Sequence, residues 1–318
     1  MKYKILSTIG SVYTPAAKEI LEKIGTVDCL DLNQTELDKK IKDYDIVVVG
    51  LGLNFHKETL EQATNLKAIA TATTGLDHID VNYAQSKNIK VLSLREETEF
   101  LNTITGTAEL ALGLMIDILR QTHPAVESVN NYQWDRENFR GHNLYGQTLG
   151  LVGLGRLGSW MAKYGNAAGM KVLAYDPNVE DSQFKKFKAS KVDFDILLAE
   201  SDVVSIHVHL AEDTTDMFDK NAFEKMKDSA YLINTARGKI VNETDVLEAL
   251  KNKTIAGYAT DVLADELDFA SDFSKHPLVE YARQHNNLLI VPHIGGMTYE
   301  SRQATDVFIA EKVIENFK

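Results

Sequence analysis

Short continuous apolar runs alternate with longer stretches of helical spacing along most of the chain. Residues 4–7, 27–30, 46–49, 67–71 and 90–92 read as strands, and residues 15–24 and 35–42 between them carry helical spacing. This alternation predicts a parallel sheet with helices on both faces. Residues 102–120 then predict one long helix capped by Thr103. Leu110, Leu112, Leu114, Met115, Ile118 and Leu119 make it apolar on more than one side, as in a core helix; the sharper reading is a connector between domains that could serve as an oligomer arm. Residues 126–146 are polar and aromatic, with Tyr132, Trp134, Phe139 and Tyr145, and read as an excursion. The strand–helix rhythm returns at 148–292, with strands expected at 149–152, 171–175, 203–206, 230–233, 255–260 and 288–291. A last helix is expected at 298–317. If it returns to the first unit, that unit is built from both chain ends.

The stretch 147–177 organises the rest. An apolar strand pattern leads into Gly153, Gly155 and Gly158 in G-x-G-x-x-G spacing. Arg156 to Ala168 follows with helical spacing, and Leu157, Trp160, Met161 and Tyr164 form its apolar stripe. A second strand pattern ends at Asp176. Glycine is needed where a Cβ would clash and where a pyrophosphate approaches a helix start. An acid about 20 residues on accepts hydrogen bonds from a ribose 2′-hydroxyl. Strand, glycine loop, helix, strand and acid in this order predict dinucleotide binding.

Composition narrows the setting. The 318 residues suffice for two domains, and 44% hydrophobic with 25% charged residues is ordinary for a globular protein. Lys plus Arg number 34 against 46 for Asp plus Glu, a net charge of −12. That disfavours nucleic acid and anionic membranes as partners. No apolar run is long enough to span a bilayer, and the N-terminus reads as a strand, not a leader. After the 298–317 helix no room is expected for a regulatory domain. The single cysteine, Cys29, reads as packing, allows no intrachain disulfide and fits a reducing, cytoplasmic location.

Ligands of an open parallel sheet bind beyond the carboxyl ends of its strands. His207, Arg237, Asp261, Glu266 and His293 all follow predicted strands there. Arg237 can bind a carboxylate bidentately and polarise a neighbouring carbonyl. His293 can exchange a proton near neutral pH. Glu266 can hold the imidazole and favour its charged form. Each residue alone reads as ordinary surface or packing; together, beside a cofactor loop, they describe hydride transfer to a 2-oxo acid. His207-x-His209 has metal-like spacing but no third ligand, and no metal is expected.

The order of NTARG (234–238), the Asp261–Val262 loop with Glu266, and PHIGG (292–296) resembles the D-isomer-specific 2-hydroxyacid dehydrogenase family. TTGLDHID (73–80), TAEL (107–110) and SIHVHLAEDTTDMF (205–218) extend the resemblance over nearly the whole chain. It implies an α/β fold of two doubly wound parallel-sheet domains. One is a Rossmann-type NAD domain, 102–292; the other is a flavodoxin-like substrate domain, 1–101 with 293–318. It implies catalysis by Arg237, Glu266 and His293, and substrate contacts from Thr74, Gly75, Leu76 and Arg237. Cofactor contacts are expected from Gly153, Gly155, Arg156, Leu157, Gly158, Asp176, His207, Thr235, Ala236, Asp261 and His293. A homodimer is expected, with a small 2-oxo or 2-hydroxy acid as substrate: glycerate/hydroxypyruvate, glyoxylate or a 3-phosphoglycerate-like acid.

Several positions depart from the family pattern. His209 and Leu267 stand where prolines are usual, and residues 267–276 lengthen the interval from Glu266 to His293, which makes Asp265 the fallback acid. The TATTG stretch lacks the cations of a phosphate-binding loop, and Arg95 is the nearest. Asp176 is followed by Pro177 and Asn178, with no cation to meet a 2′-phosphate, so NAD is expected rather than NADP. The competing reading is a non-catalytic NAD-sensing protein on the same fold, because fold alone does not fix function.

Overall fold

The computed structural model describes residues 2–266 and 273–318, and their contacts divide into two units. Unit 1 is Met1–Ile104 with Met297–Lys318; unit 2 is Thr105–Gly296. The expected boundaries, 101/102 and 292/293, lie a few residues before these. Residues 293–296 belong with unit 2 because Asp261 there binds their backbone, as described below.

Unit 1 holds β1 (Tyr3–Ser7), β2 (Gly25–Cys29), β3 (Ile46–Val49), β4 (Ala68–Thr71) and β5 (Lys90–Leu92). They form one parallel sheet in the order β2-β1-β3-β4-β5. The central strands β3 and β4 are buried along their whole length, which is why they read as unbroken apolar runs. The helix Tyr299–Phe317 packs on the helix Pro15–Leu21 over one face of this sheet. Thr14 Oγ1 donates to Asp306 Oδ2 at 2.6 Å, and Arg302 Nε lies 3.2 Å from the same oxygen. Asp306 is buried, so these two donors and their charge offset its desolvation. That helix therefore meets the start of the helix Pro15–Leu21 at Asp306. Its far end meets the start of β1, where Tyr3 and Phe317 contact edge to face.

Unit 2 holds β6 (Thr148–Val152), β7 (Lys171–Tyr175), β8 (Ser190–Lys191), β9 (Val203–Ile206), β10 (Tyr231–Asn234), β11 (Gly257–Thr260) and β12 (Leu288–Ile290). All pair in parallel, in the order β12-β11-β10-β9-β6-β7-β8. The sequence pattern indicates six of these strands. It misses β8 because that edge strand is two exposed residues long and carries no apolar signal.

Two helices depart from expectation. The long helix starts at Gly106, not at 102, and runs to Arg120. Thr103 caps nothing there: its hydroxyl donates to the Phe100 carbonyl and closes the short preceding helix Thr98–Leu101. Ala108, Ala111, Met115 and Ile118 bury against Leu149, Ile233 and Ala259, so this is a core helix of unit 2. In the helix Arg156–Ala167 the buried face is Gly158, Ser159, Met161, Ala162 and Gly165. The larger Leu157, Trp160 and Tyr164 flank that face and pack partly buried against the same core.

Candidate active site

In unit 2 the strand order reverses between β6 and β9, and ligands of such sheets bind at that point. The loop after β6 turns at Gly153 with φ of +95°. A Cβ there would stand 2.6 Å from the His207 carbonyl oxygen, and one on Gly158 would stand 2.0 Å from the Gly153 carbonyl. Both glycines are thus required by packing. Gly155 is different: nothing lies within 4 Å of where its Cβ would be. It opens on the start of the helix Arg156–Ala167, whose cap position makes no side-chain hydrogen bond. Such helix amides favour an anion. Leu157 sits in the first turn of this helix, and burial lowers the pKa of the Arg156 guanidinium.

Asp176 directly follows β7. Its Oδ2 accepts from the Leu154 N–H at 2.8 Å and its Oδ1 from the Asn178 N–H at 2.9 Å. The carboxylate is thereby tied to the glycine loop one strand away. His207 follows β9, with Nε2 2.8 Å from Ser205 Oγ. Its Nδ1 is buried with no hydrogen-bond partner among the described residues, and burial pushes the imidazole pKa down to about 3. Thr235 Oγ1, after the neighbouring β10, is also buried without a partner among the described residues. Buried polar atoms are normally satisfied. Two left over on adjacent strand ends beside an open glycine suit the polar groups of a dinucleotide.

The next strand ends carry the candidate reactive groups. Asn234 closes β10 and is fully buried. Its Oδ1 accepts from the Ala236 N–H at 2.9 Å and its Nδ2 donates to the Arg237 carbonyl at 2.9 Å. One side chain thus shapes the turn that presents Thr235, Ala236 and Arg237. In register, Asn234 pairs with Thr260 and Thr260 with Ile290, so Asp261 and His293 emerge along the same edge.

Asp261 is buried, and its carboxylate accepts from Ile294 N–H at 2.6 Å and Gly295 N–H at 2.8 Å. Its carbonyl accepts from the His293 N–H at 2.8 Å. Burial raises the Asp261 pKa, and the two N–H donors oppose that. His293 is held in the left-handed region, with φ of +52°. Its Nδ1 lies 2.5 Å from Glu266 Oε1. The other Glu266 oxygen accepts from the Leu263 N–H at 3.3 Å. Asp265 instead pairs with Lys239 at 2.6 Å. Glu266, not the fallback Asp265, is therefore the acid that meets His293.

Glu243 braces this loop. Its carboxylate accepts from the Ala264 N–H at 2.7 Å and lies 3.2 Å from His276 Nε2, and burial raises its pKa. A Cβ on Gly238 would meet the Leu263 carbonyl carbon at 2.0 Å, so the Glu266 loop lies directly on the Arg237 turn. Leu267 falls outside the described residues. At His209 the chain enters a turn closed by Thr214 Oγ1, which donates to the His209 carbonyl at 2.7 Å.

The structure thus gathers the glycine loop, Asp176, His207, Thr235, Ala236, Arg237, Asp261, Glu266 and His293 on one edge of unit 2. Thr74, Gly75 and Leu76 lie on the corresponding edge of unit 1, after β4. Asn234, Ser205 and Glu243 are additions from the structure. Asn234 stands within the NTARG motif, which offered a signal; Glu243 reads in sequence only as a first-turn acid of a helix.

Residues 112–295 match the family profile described as D-isomer specific 2-hydroxyacid dehydrogenase, NAD binding domain. Among curated relatives, D-3-phosphoglycerate dehydrogenase of Archaeoglobus fulgidus is 36% identical over 287 residues, 90% of this chain and 52% of that protein. Hydroxypyruvate reductase of Thermotoga maritima is 35% identical over 286 residues, 89% of this chain and 88% of that protein. The chain spans about half the length of the phosphoglycerate dehydrogenases it matches. A crystal structure of D-lactate dehydrogenase from Aquifex aeolicus, complexed with NAD and lactic acid, superposes with a TM-score of 0.85 at 27% identity, over 99% of this chain and 95% of that one. With its NAD-binding domain matched and its whole fold shared, the chain belongs to the D-isomer-specific 2-hydroxyacid dehydrogenase family.

Proposed function

We propose that this chain is an NAD-dependent oxidoreductase that moves hydride reversibly between the cofactor and C2 of a small D-2-hydroxy acid or 2-oxo acid. The observation that carries the reading is the Glu266–His293 pair at 2.5 Å, two strand ends from Arg237. Bound NAD supplies the nicotinamide that gives or takes the hydride. Gly153, Gly155, Arg156, Leu157 and Gly158 would hold its pyrophosphate and Asp176 its ribose, and His207, Thr235, Ala236 and Asp261 would line the nicotinamide side.

Arg237 binds the substrate carboxylate bidentately and draws electron density from the C2 carbonyl. His293 Nδ1–H donates to Glu266, which leaves Nε2 to give a proton to the carbonyl oxygen on reduction and take it back on oxidation. Glu266 fixes the tautomer and ring orientation. Asp261 acts mainly on the chain, because both its oxygens hold amides beside His293. Unit 1 is the substrate unit on this reading. A non-catalytic NAD sensor has no use for the histidine–glutamate pair.

We also infer a homodimer. The helix Thr122–Asn130 and the segment after it expose Val126, Val129, Tyr132, Trp134 and Tyr145, an apolar surface suited to a second copy.

Three outcomes are expected. His293→Ala lowers kcat by about 100- to 10,000-fold while NADH affinity, read by nucleotide fluorescence, is retained; full activity in that variant removes the proposed mechanism. In sedimentation equilibrium the protein is a dimer and Trp134→Glu shifts it toward monomer; a wild-type monomer at assay concentration excludes the dimer. The third concerns His207. Its folded pKa of about 3 lies below the ordinary 6.5, so the unfolded chain binds the extra proton. Stability is full above 6.5 and is lost as pH falls toward 3. Between pH 7 and pH 5 the wild type is expected to lose roughly 1–2 kcal/mol more than His207→Asn. Equal losses in denaturant titrations would mean that the folded ring takes up the proton freely.

A further inference from the structure

Two neighbouring turns of unit 2 carry Arg237 and Glu266, one after β10 and one after β11. The first is held along its length. Asn234 binds its backbone at Ala236 and Arg237, and Val241 bridges to fully buried Phe218. Asn242 then caps the helix Glu243–Lys251 by accepting from the Asp245 N–H at 3.1 Å. Glu243, the first residue of that helix, is therefore fixed at its backbone. Its side chain crosses to the second loop, where Oε1 accepts from the Ala264 N–H at 2.7 Å. The other oxygen lies 3.2 Å from His276 Nε2, so both ends of the carboxylate are held.

The second loop needs such a hold. Asp265, between Ala264 and Glu266, has φ of +54°, a left-handed backbone that persists where its surroundings enforce it. Two ties reach it from the Arg237 side. Lys239 Nζ lies 2.6 Å from Asp265 Oδ1, but these side chains are 51% and 61% exposed, so solvent and salt screen the pair. The Glu243 side chain is only 24% exposed, and it meets a backbone amide in a charge-assisted bond. Of the charged groups around Glu243, His276 favours its ionised form and Asp265 opposes it. The consecutive amides of Leu263 and Ala264 thus serve two glutamates, Glu266 at 3.3 Å and Glu243 at 2.7 Å. Releasing the second frees the turn on which the first is built.

We propose that Glu243 is a positioning residue for the reaction: by holding the Ala264 amide it keeps Glu266 against His293 Nδ1, and it does so by its reach and not by its charge. The inference rests on the dehydrogenase reading above for the chemistry that is positioned. Every group in it belongs to unit 2.

Two conservative changes separate reach from charge. Glu243→Asp keeps the charge and the helix-start acid but is one methylene shorter. Glu243→Gln keeps the length and an oxygen for the Ala264 N–H but loses the charge. The whole chain is assayed with NADH and a panel of 2-oxo acids. Without substrate, the low-field proton NMR resonance of His293 Nδ1–H, identified by its loss in His293→Asn, is compared with its position in Glu266→Gln. Glu243→Asp is expected to lower kcat about 10- to 100-fold with KM changed less than about threefold, and to move the resonance toward that of Glu266→Gln. Glu243→Gln is expected to keep kcat within about threefold and the resonance in place. Glu243→Ala, a second retracted side chain with the same expected losses, replaces Glu243→Asp if that variant fails to fold by Tm and NADH fluorescence. Wild-type kcat and resonance in the retracted variant overturn the proposal. So does a fall in Tm or kcat with the resonance unmoved, which marks a merely structural residue. Losses in Glu243→Gln as large as those in Glu243→Asp overturn it too, because charge would then be the cause. If no 2-oxo acid is reduced, a resonance that moves in Glu243→Asp and stays in Glu243→Gln upholds the positioning role and removes the dehydrogenase reading instead.

Discussion

The site depends on one buried carboxylate. Asp261 grips the amides of Ile294 and Gly295, while its own carbonyl receives the His293 N–H. A hydrogen bond to a charged group contributes roughly 1.5–3 kcal/mol. A left-handed backbone at a residue with a Cβ costs about 1–2 kcal/mol. Two such bonds therefore suffice to hold His293 at φ of +52° against its own preference. Without that constraint the chain after β12 would have no reason to turn His293 toward the Glu266 loop. The histidine–glutamate contact is thus a consequence of a clamp on the neighbouring strand.

The rest of the edge follows the same principle of side chains fixing backbone. Asn234 shapes the turn bearing Arg237, Glu243 holds Ala264 just before Glu266, and Asp176 holds Leu154 in the glycine loop. Each acts from a strand end or helix start, and each spends polar capacity on amides. Where that pattern stops, at Gly155, Thr235 and His207, polar atoms or open space remain for a ligand.

Much of this was legible in the sequence, for physical reasons. Parallel strands buried on both faces, such as β3, β4 and β9, read as continuous apolar runs, whereas the two-residue edge strand β8 is exposed and carries no such signal. The candidate residues could be placed on one edge because strand ends can be located without knowing the packing. Helix limits were less legible: Thr103 has the chemistry of a cap but serves the preceding turn. In the helix Arg156–Ala167 the expected stripe does pack on the core, with Met161 fully buried, but Gly158, Ser159, Ala162 and Gly165, which complete the inner face, carry no apolar signal. Asn234 and Glu243 were hidden because they act on backbone amides, as any turn or cap residue does.

The central claim is that Glu266 works through His293 and not independently. Steady-state kinetics of Glu266→Gln, His293→Asn and the double variant test this with one substrate and NADH. Residues acting as a unit give strongly non-additive losses. The account predicts that the double variant has a kcat/KM no lower than that of His293→Asn alone. Losses that multiply in the double variant would contradict it, because Glu266 would then serve the reaction by a route that does not pass through the histidine.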